Sequence, residues 1–264
     1  MIIHANCKIN LGLNVTHRRD DGFHELCTVM LPVKELYDIV TVDLTSTNEI
    51  EFHSEGLKID CKAENNLCIK AAKLTLERYN KTDQGVSITL DKRVPFGAGL
   101  GGGSSDATAV IMALNKLLEL NLTEQQLIDL AAELGSDTAF FVRNTPQYCT
   151  GRGEIMQPMP KEFCELIDTL RIEITKPEKI NISTREAFSG IKPHQPETPL
   201  LKLLEEPIET WQESIKNDFE PHIFAAHPTL QEIKNNYQKQ GAIYTAMSGS
   251  GSTIFALFDG NCQI

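Results

Sequence analysis

The sequence has little that would tie it to a disulfide framework, a membrane or a nucleic acid. Its seven cysteines, at 7, 27, 61, 68, 149, 164 and 262, include no Cys-x-x-Cys pair and leave one over in any complete pairing. A disulfide framework or a structural zinc site needs closer, even-numbered spacing, so reduced thiols are expected. Apolar runs such as Ala109–Leu114 fall far short of the ~18 residues that cross a bilayer. The opening MIIHANCKINLG has no basic stretch leading into an apolar run, so no signal peptide is expected. A cytoplasmic protein with no membrane partner is the reading. Positive charge is also scarce: 25 Lys and Arg against 36 Asp and Glu give a net charge of −11. A phosphate-backbone binder needs a basic face to release counterions, so no nucleic-acid partner is expected. A local basic cluster can still hold an anionic small molecule.

What is present is enough for a core. Forty-one per cent of the 264 residues are hydrophobic, and a chain this long buries about 70–75% of its unfolded surface, which excludes disorder as the dominant state. The length allows one large domain or two of roughly 130 residues. Residues 5–15 alternate, placing Ile9, Leu11 and Leu13 on one face of a strand and Lys8, Asn10 and Asn14 on the other. A polar turn at 18–22 leads into strands over Leu26–Val33, Ile39–Leu44 and Ile50–Phe52, a helix over Asn66–Tyr79 and a strand over Val86–Leu90. The spacing predicts helices over Ala107–Leu120 and from the capping box at Thr123 to Leu134, with Gly135 as its stop. Strands at Tyr148–Thr150 and Glu154–Met156 flank a Gly-Arg-Gly turn, and the prolines of Gln157–Lys161 mark a domain joint. Beyond it come a strand at Leu170–Thr175, a helix capped by Ser183 and another from Thr198-Pro199. Capping-box spacing recurs from Thr229 to Glu232 before a helix stopped by Gly241. Two strands, Ala242–Met247 and Thr253–Phe258, enclose Ser248-Gly249-Ser250-Gly251-Ser252. With no βαβ rhythm, the class is α+β with an antiparallel sheet.

The run Pro95-Phe-Gly-Ala-Gly-Leu-Gly-Gly-Gly-Ser-Ser105 has five glycines in seven residues. Bare amides leading straight into a helix start form a concave anion site under the positive end of the helix dipole. Gly97-x-Gly99-x-x-Gly102 satisfies the dinucleotide fingerprint literally, but Arg93, Val94 and Pro95 separate it from its strand, and Glu119 falls in the expected helix Ala107–Leu120 rather than at a strand end. No Gly-Lys-Ser/Thr follows, which excludes the Walker pattern, and the downstream motifs of protein kinases do not occur.

A proline, a glycine-rich stretch and Gly-Gly-Ser-Ser opening a helix resemble the second motif of the galactokinase, homoserine, mevalonate and phosphomevalonate kinase superfamily. Lys8-Ile9-Asn10-Leu11-Gly12-Leu13 resembles its first motif and Met247–Ser252 its third, in the same order across nearly the whole chain. Ala5–Leu11, Asp21-Gly22-Phe23-His24-Glu25-Leu26, Asn66-Leu67, Pro95–Asp106 and Gly135–Phe141 are similar to the branch that acts on a cytidyl diphosphate alcohol in the non-mevalonate isoprenoid route. The Asp-Gly-Phe-His element is the most specific of these. Phe23 stands where that branch often has tyrosine, and Ser136 where it has alanine.

The resemblance implies two α+β subdomains, an N-terminal part like the second domain of a ribosomal protein (1–156, with the ATP loop and the base) and a ferredoxin-like C-terminal part (157–264), with the active site in the cleft between them. It implies ATP-dependent phosphorylation of the 2-hydroxyl of a methylerythritol, with Asp137 as general base and Lys8 for charge and orientation. Pro95, Phe96, Gly97, Ala98, Gly99, Leu100, Gly101, Gly102, Gly103, Ser104 and Ser105 would hold ATP, with Asn66 and Lys92 near the nucleoside. Magnesium would bridge phosphates with few protein ligands, Ser105 among them. Asn10, Phe23, His24, Phe188, Gly249 and Ser250 are the acceptor residues, in a monomer or homodimer. The competing readings are another alcohol kinase of the superfamily and an inactive nucleotide-binding homologue. The residues add their own support: Lys8 is the charge on an otherwise Ile- and Leu-rich strand, and Asp137 opens the apolar run 139–142, a costly place for a charge without a partner.

Overall fold

The structure is a computed structural model that describes residues 1–59 and 61–260. Its strands are β1 (Ile2–Arg18), β2 (His24–Thr45), β3 (Ile50–Gly56), β4 (Gly85–Lys92), β5 (Gln147–Gly151), β6 (Ile155–Pro158), β7 (Leu170–Thr175), β8 (Tyr244–Met247) and β9 (Ile254–Asp259). The first three helices are α1 (Leu67–Arg78), α2 (Gly102–Leu117) and α3 (Glu124–Ala132). The chain divides into two compact units with interleaved segments, 1–8, 32–96 and 101–144 in the first and 9–31, 97–100 and 145–260 in the second. These are not two contiguous halves. β1 and β2 run through both units, and the last switch falls at 144/145, ahead of the joint that the prolines at 157–161 suggest.

In the first unit, the C-terminal part of β2 pairs antiparallel with β4, Ile39 opposite Asp91 through Thr45 opposite Gly85, and β3 joins β4 in parallel. In the second, the N-terminal part of β2 pairs antiparallel with β5, which continues to β6. Two strands, Leu26–Val33 and Ile39–Leu44, are expected from the sequence where β2 runs unbroken through the polar stretch at 34–38. Proline donates no ladder bond, but Pro32 falls between the two registers, where neither needs one. The second unit also holds an antiparallel sheet in the order β7-β9-β8. Its helical face carries Phe219, Ile223, Leu230 and Tyr237, packed with Met247, Ile254 and Phe258 into one buried cluster.

Local chemistry sets most helix ends. Asn66 caps α1 by accepting the Cys68 amide at 2.9 Å, and Ser183 caps Thr184–Ser189 through the Glu186 amide. Thr123 and Gln126 form the reciprocal capping box at the start of α3. Thr123→Ala removes an N-cap worth about 1 kcal/mol, so thermal denaturation of that variant should show Tm lower by roughly 2–4 °C, at unchanged turnover. The expected box at Thr229 does not form. Pro228 opens that helix, Pro228–Lys239, from His227, which puts Thr229 inside the first turn. α2 begins earlier than its apolar period suggests, inside the glycine run itself. No disulfide joins the six described cysteines, and Cys262 lies outside the described residues. Among the described residues no helix is long and apolar enough to cross a membrane.

Candidate active site

The polar side of β1 does not face water. Lys8, Asn10 and Asn14 are 4%, 2% and 9% exposed, so β1 is buried on both faces. The alternation marks a boundary between core and site. Buried polar groups need partners, and these have them. In the first unit the Lys8 ammonium lies 3.3 Å from a carboxylate oxygen of Asp137. In the second, Asn10 donates to Thr28 Oγ1 at 3.1 Å, and Thr28 donates on to the Gly12 carbonyl at 2.5 Å.

Asp137 sits in the turn at 136–139, just ahead of the short helix Phe140–Arg143. A third of its side chain is exposed while that of Lys8 is closed off. The pair therefore presents a carboxylate to solvent with a buried ammonium behind it. Gly101, the left-handed N-cap of α2 (φ +68°), packs on the same lysine: a Cβ there would stand 3.1 Å from Lys8 Cγ and from the Phe141 ring. The amides that open α2 are thus held beside the Lys8–Asp137 pair. The sixteen residues of α2 align enough peptide dipoles to favour an anion at that end.

The glycine run passes from the first unit to the second at Gly97 and returns at Gly101. It is anchored, since Ala98 and Leu100 are 2% and 1% exposed. In the second unit Ser248 Oγ donates to the Gly99 carbonyl at 2.9 Å, joining the run to the turn between β8 and β9. That turn is gripped in its own right by Asn217, whose amide donates to the carbonyls of Met247 at 2.7 Å and Gly249 at 2.9 Å. Gly249 also lies close to Asn10, so the first and third motifs meet.

A cavity of about 300 Å³ in the first unit is lined by Asn66, Leu67, Leu90, Phe96 and Gly103, with Lys92 and Asp106 at its polar end. Its apolar walls and few polar groups suit a flat heterocycle. Lys92 is not a loose cation there, because both Asp38 and Asp106 take its ammonium. The acceptor candidates lie in the second unit. Phe23 is 53% exposed, with the Arg152 guanidinium 4.9 Å from its ring centre. His24 stacks on Phe188 at 4.8 Å, and Phe188 meets Phe219 edge-on at 4.9 Å. Burial, with help from Arg18, lowers the His24 pKa, which keeps the ring neutral with one donor and one acceptor nitrogen. The turn at 18–22 is braced to the β5–β6 turn through Glu25, which pairs with Arg19 at 2.8 Å and accepts the Gly151 amide at 2.8 Å.

Asp38, Asn217 and Arg152 escaped the sequence reading. Asp38 looks like the polar start of a strand and Asn217 like a loop residue. Only Arg152, inside the Gly-Arg-Gly turn, left a local signal.

Residues 66–145 match the GHMP kinases N terminal domain and 200–261 the GHMP kinases C terminal domain. The 4-diphosphocytidyl-2-C-methyl-D-erythritol kinase of Bacteroides thetaiotaomicron is 42% identical over 261 residues, 98% of this chain and 92% of that protein. The chain belongs to the 4-diphosphocytidyl-2-C-methyl-D-erythritol kinase family of GHMP kinases. The protein of that name from Bacteroides fragilis is 40% identical over 260 residues, again 98% of this chain and 92% of the other. A crystal structure of 4-(cytidine 5'-diphospho)-2C-methyl-D-erythritol kinase superposes with a TM-score of 0.81 at 33% identity, covering 98% of this chain and 91% of that one. The chain is thus a small-molecule kinase that uses ATP, and its α+β class agrees with the expectation from the three motifs.

Proposed function

We propose that the chain transfers the terminal phosphoryl group of ATP to the 2-hydroxyl of 4-diphosphocytidyl-2-C-methyl-D-erythritol. The observation that carries this is the Lys8–Asp137 pair beside the amides of α2. An alcohol's own pKa lies far above neutrality, so the acceptor hydroxyl needs a base at hand. Asp137 takes that proton, and Lys8 orients the carboxylate and stabilises the charge that develops on the oxygens. The amides from Gly97 to Ser105 hold the donor phosphates, so the protein's contribution is position and charge neutralisation rather than covalent chemistry. Pro95 and Phe96 lead into that cradle. Asn66 and Lys92 border the cavity that takes the nucleoside. Ser104 and Ser105 add hydroxyls in the first turn of the helix.

No three His, Cys, Asp or Glu side chains among the described residues gather as a metal cage. A magnesium ion would therefore come with the nucleotide, ligated mainly by phosphate oxygens, with Ser105 beside it. When bound it supplies further neutralisation of phosphate charge. On the acceptor side, Phe23 offers a flat face for cytosine and neutral His24, braced by Phe188, reads its edge. Asn10 orients the polyol, and Gly249 and Ser250 offer backbone amides to the acceptor.

The deciding experiment is a coupled ADP-release assay with 4-diphosphocytidyl-2-C-methyl-D-erythritol, mevalonate and homoserine, with and without magnesium. Release with the cytidyl substrate alone, dependent on magnesium, is the expected result. Comparable rates on the free alcohols, or no ADP with any acceptor, would remove the proposal.

A further inference from the structure

Around Lys92 lies a buried charge cluster whose two carboxylates, Asp38 and Asp106, the phosphoryl-transfer scheme leaves unused. The side chains of Asp38, Lys92 and Asp106 are 0%, 1% and 3% exposed. The Lys92 ammonium sits between the two carboxylates, on Asp38 Oδ2 and at 2.8 Å from Asp106 Oδ2. The other oxygen of Asp38 accepts the main-chain N–H groups of Arg93 at 2.6 Å and Val94 at 2.7 Å, the two residues just before Pro95. Asp106 belongs to α2, and a Cβ on Gly102, the first residue of that helix, would stand 3.0 Å from Lys92 Nζ. Asp38 thus holds the strand exit directly, and through Lys92 it holds the helix entry. The glycine run must span the gap between these two fixed points.

We propose that Asp38 is a positioning residue for the donor phosphates, setting through Lys92, Asp106 and the Arg93 and Val94 amides the separation of the two ends of the glycine run. Stability alone gives no reason for the cluster, since buried ion pairs are commonly no better than apolar residues of similar volume. One lysine between two carboxylates is also unbalanced, and Asp106 Oδ1 is buried without a hydrogen-bond partner. Burial pushes the Asp106 carboxyl up to about 8, with Lys92 opposing and Asp38 adding to the rise. The nearby thiols of Cys7 and Cys68 are likewise raised by burial, so they add no charge. Asp38 is the member that takes both Lys92 and the Arg93 and Val94 amides, which is why it is the one to test. Gly101 and Gly102 need bare backbone packed against Lys8 and Lys92 respectively, so a shift of the helix entry would move the amide cradle as a whole.

This inference rests on the donor reading above, and its test separates the two. Binding of the magnesium complex of β,γ-imido-ATP is measured by titration calorimetry, alongside steady-state constants for ATP and the cytidyl acceptor. Asp38→Asn should raise the nucleotide Kd and the KM for ATP at least tenfold, with the KM for the acceptor within twofold and the circular dichroism spectrum retained. Asp106→Asn keeps an oxygen for Lys92 and serves should Asp38→Asn not fold; a rise of about threefold or more in KM for ATP alone is expected. A merely structural role would lower kcat through a smaller folded fraction and leave both KM values unchanged, and that outcome overturns the proposal. A wild-type chain that does not bind the analogue removes the donor reading itself. A wild-type chain that binds it, with both variants equal to it, removes only the role of Asp38.

Discussion

Asp137→Asn should lower kcat by about 10²–10⁴-fold, the usual contribution of a positioned general base, while the protein stays folded. Asparagine keeps the shape of the side chain and its position in the turn at 136–139, but it cannot accept the acceptor's proton. The substitution removes the charge opposite the buried Lys8 ammonium but keeps an oxygen that can accept from it, so a lowered Tm is expected with the fold retained. Lys8→Met, which keeps the stem beneath Gly101 and removes only the charge, should act in the same direction. The two groups lie 3.3 Å apart and act as one unit, so the double variant should be little worse than the poorer single one. Initial rates of ADP release, read with circular dichroism, check both points. Near-wild-type turnover in a well-folded Asp137→Asn protein would end the assignment of the base.

A second large effect is expected at Gly99. Its backbone is left-handed (φ +78°), and a Cβ there would stand 2.2 Å from the Ser248 carbonyl oxygen, a main-chain atom with no rotamer to escape into. The left-handed conformation alone costs an alanine about 1–2 kcal/mol, and the collision forces the run away from the β8–β9 turn. Gly99→Ala should therefore weaken binding of an ATP analogue at least tenfold and lower Tm by several degrees. Gly97→Ala is the matched control. Its φ is +64°, yet nothing lies within 4 Å of the added carbon, so it carries the conformational cost without the collision. If the two variants bind nucleotide equally well, the run is held by something other than its contact with Ser248.

Much of the local structure around the candidate site was legible in the chain because its signals are short-range. The caps at Asn66, Thr123 and Ser183 are short-range hydrogen bonds. The glycine run and the serine-glycine turn declare themselves by composition, and β7 occupies the expected Leu170–Thr175. Other features failed for reasons that can be named. The helix Lys161–Asp168 escaped notice because the prolines before it read as a joint; Pro160 is its N-cap, where a missing amide costs nothing. Thr229 had the spacing of a capping box but not its place, because Pro228 had already opened the helix.

The sequence by itself determined where amides are bare, which side chains cap α3 and the helix Thr184–Ser189, and that one lysine and one aspartate stand in chemically costly surroundings. Tertiary structure alone decided that Lys8 meets Asp137, that Lys92 is claimed by Asp38 and Asp106, and that the polar face of β1 is closed to water. The reason lies in the range of the forces. Turns and caps are settled by a few neighbouring dihedrals and amides, whereas the partner of a buried charge is chosen by desolvation. That choice is made only once distant segments have packed.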